Sequence, residues 1–533
     1  MSGLFDKKTD GNSRREARTK KEQDAQKKSR IIAVSVISVL AVVFIGSLFL
    51  NSNFIRRATP AVTVGNMTFT AAEFDYFYNV AIFEYSEFVN AHMPDFAAAL
   101  LPSRDRPFAS QIHDHETGAT WADFFIERAL ENMSELVQLY TAAMEYGFEL
   151  TAENRADIDN QFHFLIMEGE MAASMQPHIH PNAMSFLQAV YGSSLNESTL
   201  RRVLEFTFTA LFFSEHVRES FSYSAAELEA HYLEYSDELD IFRYRVMLVS
   251  PERTDPLDFE TGAEFEEAQD AAAEEALLRA AEILATVVTE EDFIAAALEF
   301  DEVLYSDPRS TLVEQQGSFV DPDFIDWLSE PGRAEGDITS FEEAHGTYIL
   351  FFVERDSNNY NLVAMRQILL LREHVAPEAF YDGEDDPEFI EAVENAEADA
   401  RARAELALEF FQTSGSTEEA FLDVMEVFTD DTTEGGFYDE IAKFSYFGQD
   451  VRTMRVVEEL EQWLFDESRQ VGDYEIVRTE AFGYHILFFY GRGELFRHFI
   501  AADRMRDSDH TEWRENLPAV WVGRHRAFVL TQQ

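Results

Sequence analysis

The chain of 533 residues has no cysteine. Disulfides, thiolate metal sites and cysteine nucleophiles are therefore excluded, although the absence does not identify a compartment. Basic residues are scarce: 42 Lys and Arg stand against 100 Asp and Glu, a formal charge of −58. A field of that sign repels nucleic acid and favours solubility. Also missing are a P-loop, a dinucleotide fingerprint, a nucleophile elbow and an HExxH pair. Small-molecule chemistry with a cofactor has no foothold here, and no cofactor is expected.

The chain is too long for one core, and its 46% of apolar residues suffices for several. Residues 1–30 carry ten basic residues against five acidic ones. They precede "IIAVSVISVLAVVFIGSLFL", residues 31–50, which has no charge and, at about 1.5 Å per residue, the length of a bilayer core. The expectation is a transmembrane helix in contact with lipid. A cleaved signal peptide fits less well, because a shorter apolar region and a small-residue cleavage site are wanting. The positive-inside rule then places the N-terminus in the cytoplasm and the bulk of the chain beyond the inner membrane, in the periplasm or its equivalent.

After the anchor, "AVTVGNMTFT" reads as a hairpin about a Gly-Asn turn, and "TAAE" from Thr70 reads as a helix cap. Helical periodicity follows, with Gly147 placed where a helix should end. From residue 239 the texture changes to strand, two helices, loop and strand, and that order recurs. Arg245 aligns with Arg366, "TEEDFI" with "TEEAFL", and "GTYILFF" with "FGYHILFF". An internal repeat of two α+β units is expected.

The second copy resembles a parvulin-type peptidyl-prolyl isomerase domain (PpiC-like) through "RQILL", "FTDDTTEGGFYDE" and "FGYHIL". The region before the repeat resembles the N-terminal chaperone domain of SurA-, PrsA- and PpiD-like folding factors. The segments that carry this are "VTVGNMTFTAAEFDYFY", "YGFELTAENRADIDNQF" and "YSAAELEAHYLEYSDELDIFRYRVMLV". The resemblance implies an α+β multidomain chain. Its expected parts are a cytoplasmic tail (1–30), a transmembrane helix (31–50), an all-helical chaperone domain (58–238), a degenerate parvulin-like domain (239–357), a second one (358–495) and a C-terminal tail (496–533).

It also implies a pocket of two facing histidines, an acidic residue and apolar side chains that grip a proline ring. His485 is the closing histidine, while Gln367 stands at the opening position and lacks a titrating proton. The acidic position falls to Asp430 or Asp431. Val456, or Met454 after a small shift, and Leu460 are the ring-gripping candidates, with Phe465 packing behind them. In the first copy Val246 and Tyr348 replace both histidines. Solvated loop histidines are the simpler reading of "HDHE" (113–116) and "HIH" (178–180), since neither has an evident third metal ligand.

The function so implied is that of a membrane-anchored extracytoplasmic folding factor that binds unfolded or newly translocated polypeptides, with weak or absent isomerase activity. An active prolyl isomerase and a non-catalytic envelope scaffold are the alternatives. Client identity and oligomeric state are not encoded in any recognisable pattern.

Overall fold

The computed structural model describes residues 53–525 apart from 254, 256–258, 260, 344, 376–385 and 444–455. Among the described residues, no helix is long and apolar enough to cross a membrane. Residues 31–50 lie outside them. The expected fold class, with its transmembrane helix, is accordingly corrected to a mixed helix-and-sheet multidomain structure.

The described residues form two compact units. The first runs to Phe221 and takes in the chain again from Asp509; the second is Ser222–Ser508. The first contains α1 (Asn53–Ala58), β1 (Pro60–Val64), β2 (Met67–Thr70), α2 (Ala71–His92), α3 (Ala97–Leu100), α4 (Trp121–Tyr146), α5 (Ala152–Met175), α6 (Ala183–Tyr191) and α7 (Glu197–Ser220). Reciprocal capping boxes start the long helices: Thr70 with Glu73, Thr120 with Asp123, and Thr151 with Asn154. Gly147 ends α4 at φ 80°, a left-handed value that glycine adopts without steric cost.

This unit is not all-helical, as the sequence suggested. Its hairpin β1–β2 is joined by β11 (Val522–Arg524) from the chain's end, giving the order β11-β1-β2. An isolated two-stranded hairpin is at best marginal in water. The third strand pairs Val62 with Arg524 and Val64 with Val522, and Val520 packs on the core formed by Val62, Phe69, Phe74 and Met133.

The second unit begins with α8 (Ala225–Glu234) and α9 (Ser236–Leu239). A buried network holds them to strand Gly346–Asp356 and the residues just after it. The Tyr232 hydroxyl donates to Asp240, Arg355 Nε donates to the other Asp240 oxygen at 2.5 Å, and Asn358 Nδ2 donates to Tyr232 and to Leu239 O.

Two sheets follow. The first copy comprises β3 (Ile241–Val249), α10 (Gly262–Thr286), α11 (Glu290–Phe300), β4 (Leu312–Gln316), α12 (Pro322–Leu328), β5 (Ile338–Glu343) and β6 (Gly346–Asp356). The second comprises β7 (Asn361–Leu371), α13 (Pro387–Thr413), α14 (Glu418–Phe428), β8 (Phe437–Ile441), α15 (Glu458–Leu464), β9 (Tyr474–Thr479) and β10 (Gly483–Leu495). α16 (Phe496–Glu515) closes the series, and the division between the units falls inside it. The strand orders, β4-β3-β6-β5 and β8-β7-β10-β9, are the same. So is the register: Val246 faces Leu350 as Gln367 faces Leu487, and Leu248 faces Tyr348 as Leu369 faces His485.

Alternation along each strand divides its side chains between two layers. In the second copy Ile368, Leu370, Tyr484, Ile486 and Phe488 meet α13 and α14, where Ala400, Ala404 and Ala407 allow close approach. Val363, Met365, Leu487 and Phe489 meet α15 on the other side.

The same arginine contact holds both copies. Arg245 Nε donates to Glu290 at 2.7 Å, with Nη1 on Pro308 O and Thr311 Oγ1. Arg366 Nε donates to Glu418 at 2.9 Å, with Nη1 on Gly435 O. A further shared pattern escaped the sequence reading: Trp327-Leu328, Arg333 and Gly336-Asp337 recur as Trp463-Leu464, Arg469 and Gly472-Asp473. Each arginine donates to the tryptophan's carbonyl and stacks on its ring, at 3.9 and 4.0 Å.

Two outcomes follow in denaturant unfolding of the full chain. Arg245→Ala strands Glu290 and the Thr311 hydroxyl and should cost about 3 kcal/mol, whereas Arg401→Ala, at an exposed helical pair with Glu405, should leave the unfolding midpoint unchanged. Ending the chain at residue 516 removes β11 and Val520 and should destabilise the first unit by about 2 kcal/mol or more.

Candidate functional site

The polar centre of the second copy lies on the α15 side of the sheet. Gln367 on β7 and His485 on β10 sit diagonally across the pair, two registers apart, and point the same way. Gln367 Nε2 donates to Asp431 Oδ2 at 2.8 Å, which leaves Gln367 Oε1 to accept from His485 Nδ1 at 2.9 Å. The proton is thereby assigned to Nδ1, and Nε2 accepts from the Thr479 hydroxyl at 3.0 Å. The chain extends past Asp431, whose Oδ2 also accepts from the Tyr438 hydroxyl at 2.6 Å, while Tyr438 accepts from Thr433 at 2.7 Å.

Of the two acidic candidates, the loop brings Asp431 to Gln367 and turns Asp430 away. Asp430 Oδ2 accepts from the Leu371 N–H at 2.9 Å and from Arg403 Nη2 at 2.8 Å, tying the loop to the strand edge and to α13. Neighbouring residues of an irregular loop have no periodicity from which this choice could be read. Thr479 and Tyr438 were not singled out from sequence either; their signal is positional, one at the end of β9 and one at the start of β8.

His485 is 3% exposed. Burial pushes its imidazole down to about 4, against the pull of Asp431 and Glu459, so the ring is neutral at pH 7. Burial acts to raise the Asp431 carboxyl, but hydrogen bonds from Tyr438, the Thr433 N–H and Gln367 outweigh it and hold the group below the ordinary carboxylate value. The Tyr438 phenol is pushed up, first by burial and then by its donation to Asp431.

The apolar candidates are close by in the sheet's α15 layer. Val456 and Leu460 are buried with Met365, Trp463 and Leu487. Phe465 is half-buried, edge-on to Tyr360 at 5.6 Å, with the Lys443 ammonium 5.7 Å from its ring centre. Met454 lies outside the described residues. In the first copy Val246 and Tyr348 border a cluster of Phe324, Leu328 and Phe352, with no polar chain corresponding to that of the second copy among the described residues. Of the loop histidines, His113 packs on Trp121 and Phe124 and His180 on Phe186; among the described residues no cluster of three metal-ligating side chains occurs.

The first unit holds a different kind of site. Gly147 turns the chain between α4 and α5; beyond it Phe148, which packs on Phe213 and His216 of α7, and Leu150 line a groove of about 600 Å³ together with Met67, Tyr140, Met144 and Phe206. Arg155, Arg202, Glu149 and Glu205 supply its charged lining. A second hollow of about 310 Å³ shares Met67, Tyr140 and Met144 and reaches Asn66 at the hairpin tip.

No family model matches the chain, and no curated protein matches it. A solved structure to which it is similar is the crystal structure of PrsA from Bacillus subtilis, 11% identical, covering 59% of this chain and 91% of that one at a TM-score of 0.14. A TM-score that low does not establish a shared arrangement.

The depressed imidazole makes a pH prediction. The unfolded chain takes up a proton at His485 below its ordinary 6.5, the folded chain only near 4. The neutral ring's stabilisation is thus present above pH 6.5 and lost as the pH falls to about 4, a difference on the order of 3 kcal/mol. Unfolding free energies of wild type and His485→Gln between pH 4 and 7 should diverge by that slope; parallel curves would mean that the ring titrates normally.

Proposed function

We propose that this chain is a folding factor that binds unfolded polypeptide segments, with the helical unit as the binding part. The reading extends the resemblance carried by the hairpin and helical segments of the sequence. The observation that supports it best is the groove along Met67, Tyr140, Met144 and Phe206. It combines apolar walls, two flexible methionines and charged lining, the properties needed to hold many sequences weakly. Catalysis at the second copy is not part of the reading. Both ring nitrogens of His485 are engaged within the protein, and the side chains that would grip a proline ring, Val456 and Leu460, are packed in a core.

The test uses the full chain with a chemically unfolded protein diluted into buffer. Light scattering should fall at stoichiometric amounts of the chain, and Met144→Glu, at a 47% exposed position, should weaken the protection severalfold. No suppression at molar excess counts against the proposal. In the same preparation an X–Pro peptide should isomerise at its uncatalysed rate, over tens of seconds. A faster rate that disappears in His485→Ala would restore the catalytic alternative.

A further inference from the structure

Helix α5 is apolar on two opposite faces. One, through Phe162, Leu165 and Gly169, is buried in the core of the first unit. At Gly169 even a methyl group would come within 2.8 Å of Ala183 O, so that face is tightly seated. On the other side Phe164, Met167, Met171 and Met175 are 48, 59, 56 and 73% exposed. Their spacing of three, four and four residues puts them on one stripe, and at 3.6 residues per turn that stripe lies about opposite the buried one. An exposed helix in a folded protein ordinarily carries polar residues there. Four large apolar side chains in a row leave about half or more of their surface to solvent here, and three are methionines, whose flexible, polarizable chains adapt to irregular partners.

The surroundings of the stripe indicate what covers it. Glu153, Asp157, Glu168 and Glu170 border it, all exposed or half-exposed. The arginines nearest in sequence or packing are turned elsewhere: Arg155 Nη1 donates to Leu150 O at the helix start, and Arg201 pairs with Asp159 at 2.8 Å beside the Phe162 ring; His163, next to Phe164, bonds back to Asp159 O at 2.7 Å. A second copy would bring the same acidic border and a net charge of −58 against itself. A partner that alternates apolar with basic side chains would instead gain on both counts.

We propose that the Phe164–Met167–Met171–Met175 stripe is a docking face for non-native polypeptide segments in which apolar side chains are interspersed with Lys or Arg. The proposal rests on the polypeptide-binding reading and adds an address and a charge selectivity to it.

The full chain is titrated into a labelled peptide of alternating Leu and Lys, and into its Leu–Glu counterpart, with anisotropy as the readout. Binding of the Lys peptide should be at least tenfold tighter and should weaken as salt rises. Met167→Ser with Met171→Ser, both at exposed positions, should weaken it about tenfold while leaving the far-ultraviolet circular dichroism unchanged. As a readout on the unaltered chain, dilute hydrogen peroxide converts exposed thioethers to sulfoxides, with water as the other product. Bound Lys peptide should slow that reaction severalfold at Met167, Met171 and Met175.

Equal binding of the two peptides, or full affinity in the double variant, overturns the proposal. Protection of the three methionines that rises with chain concentration in the absence of peptide also overturns it, in favour of a second copy as occupant. Aggregation suppression that survives in the double variant sinks the stripe alone, whereas its absence in the wild type sinks the wider reading.

Discussion

The structure of each sheet depends on one buried cation. Arg245 and Arg366 stand in the opening strands with side chains 8% and 15% exposed, and a guanidinium so enclosed is tolerable only where its donors are met. Glu290 and Glu418, at the first positions of α11 and α14, meet them, together with loop oxygens from Pro308 and Gly435. The contact joins strand, helix start and returning loop at a single point. Because side chains alternate, it also decides the rest of the strand: with Arg366 towards the helices, Gln367 must face α15.

That facing is what makes the polar centre. An amide carries a donor and an acceptor at fixed separation, so Gln367 can receive from His485 and give to Asp431 at once. The result is a relay in which every member between the terminal Thr479 and Thr433 hydroxyls is held from both sides. Such a chain is favourable in a buried place because none of its groups is left unmet. Both ring nitrogens of His485 are engaged within it. The first copy reaches the same architecture with Val246 and Tyr348, so the sheet itself does not require the relay.

The helical unit is closed by a similar economy of means. Three residues from the chain's end complete a sheet that starts near the chain's beginning, and α5, seated tightly through Gly169, keeps its second apolar face outward. Burial explains one face of that helix. The other stays open to solvent, bordered by acidic residues.

What could be read in the sequence was local or repeated. The cap at Thr70, the stop at Gly147, the alignment of Arg245 with Arg366 and that of Tyr348 with His485 are set by residues close in the chain or by a pattern stated twice. The recurrence of Trp327 and Arg333 as Trp463 and Arg469 was equally present and was not singled out. What could not be read was long-range or without periodicity. Strand β11 is too short to carry an alternating pattern and pairs with residues more than four hundred positions away. Asp430 and Asp431 are chemically identical neighbours, distinguished only by which one the folded loop turns towards Gln367. The sequence by itself determined the repeated unit and the places of Gln367 and His485 in its strands, because strand alternation and helix capping act over a few residues. Tertiary structure alone decided that the histidine is closed at both nitrogens and that the methionines of α5 are open, because burial depends on what the rest of the chain brings to each face.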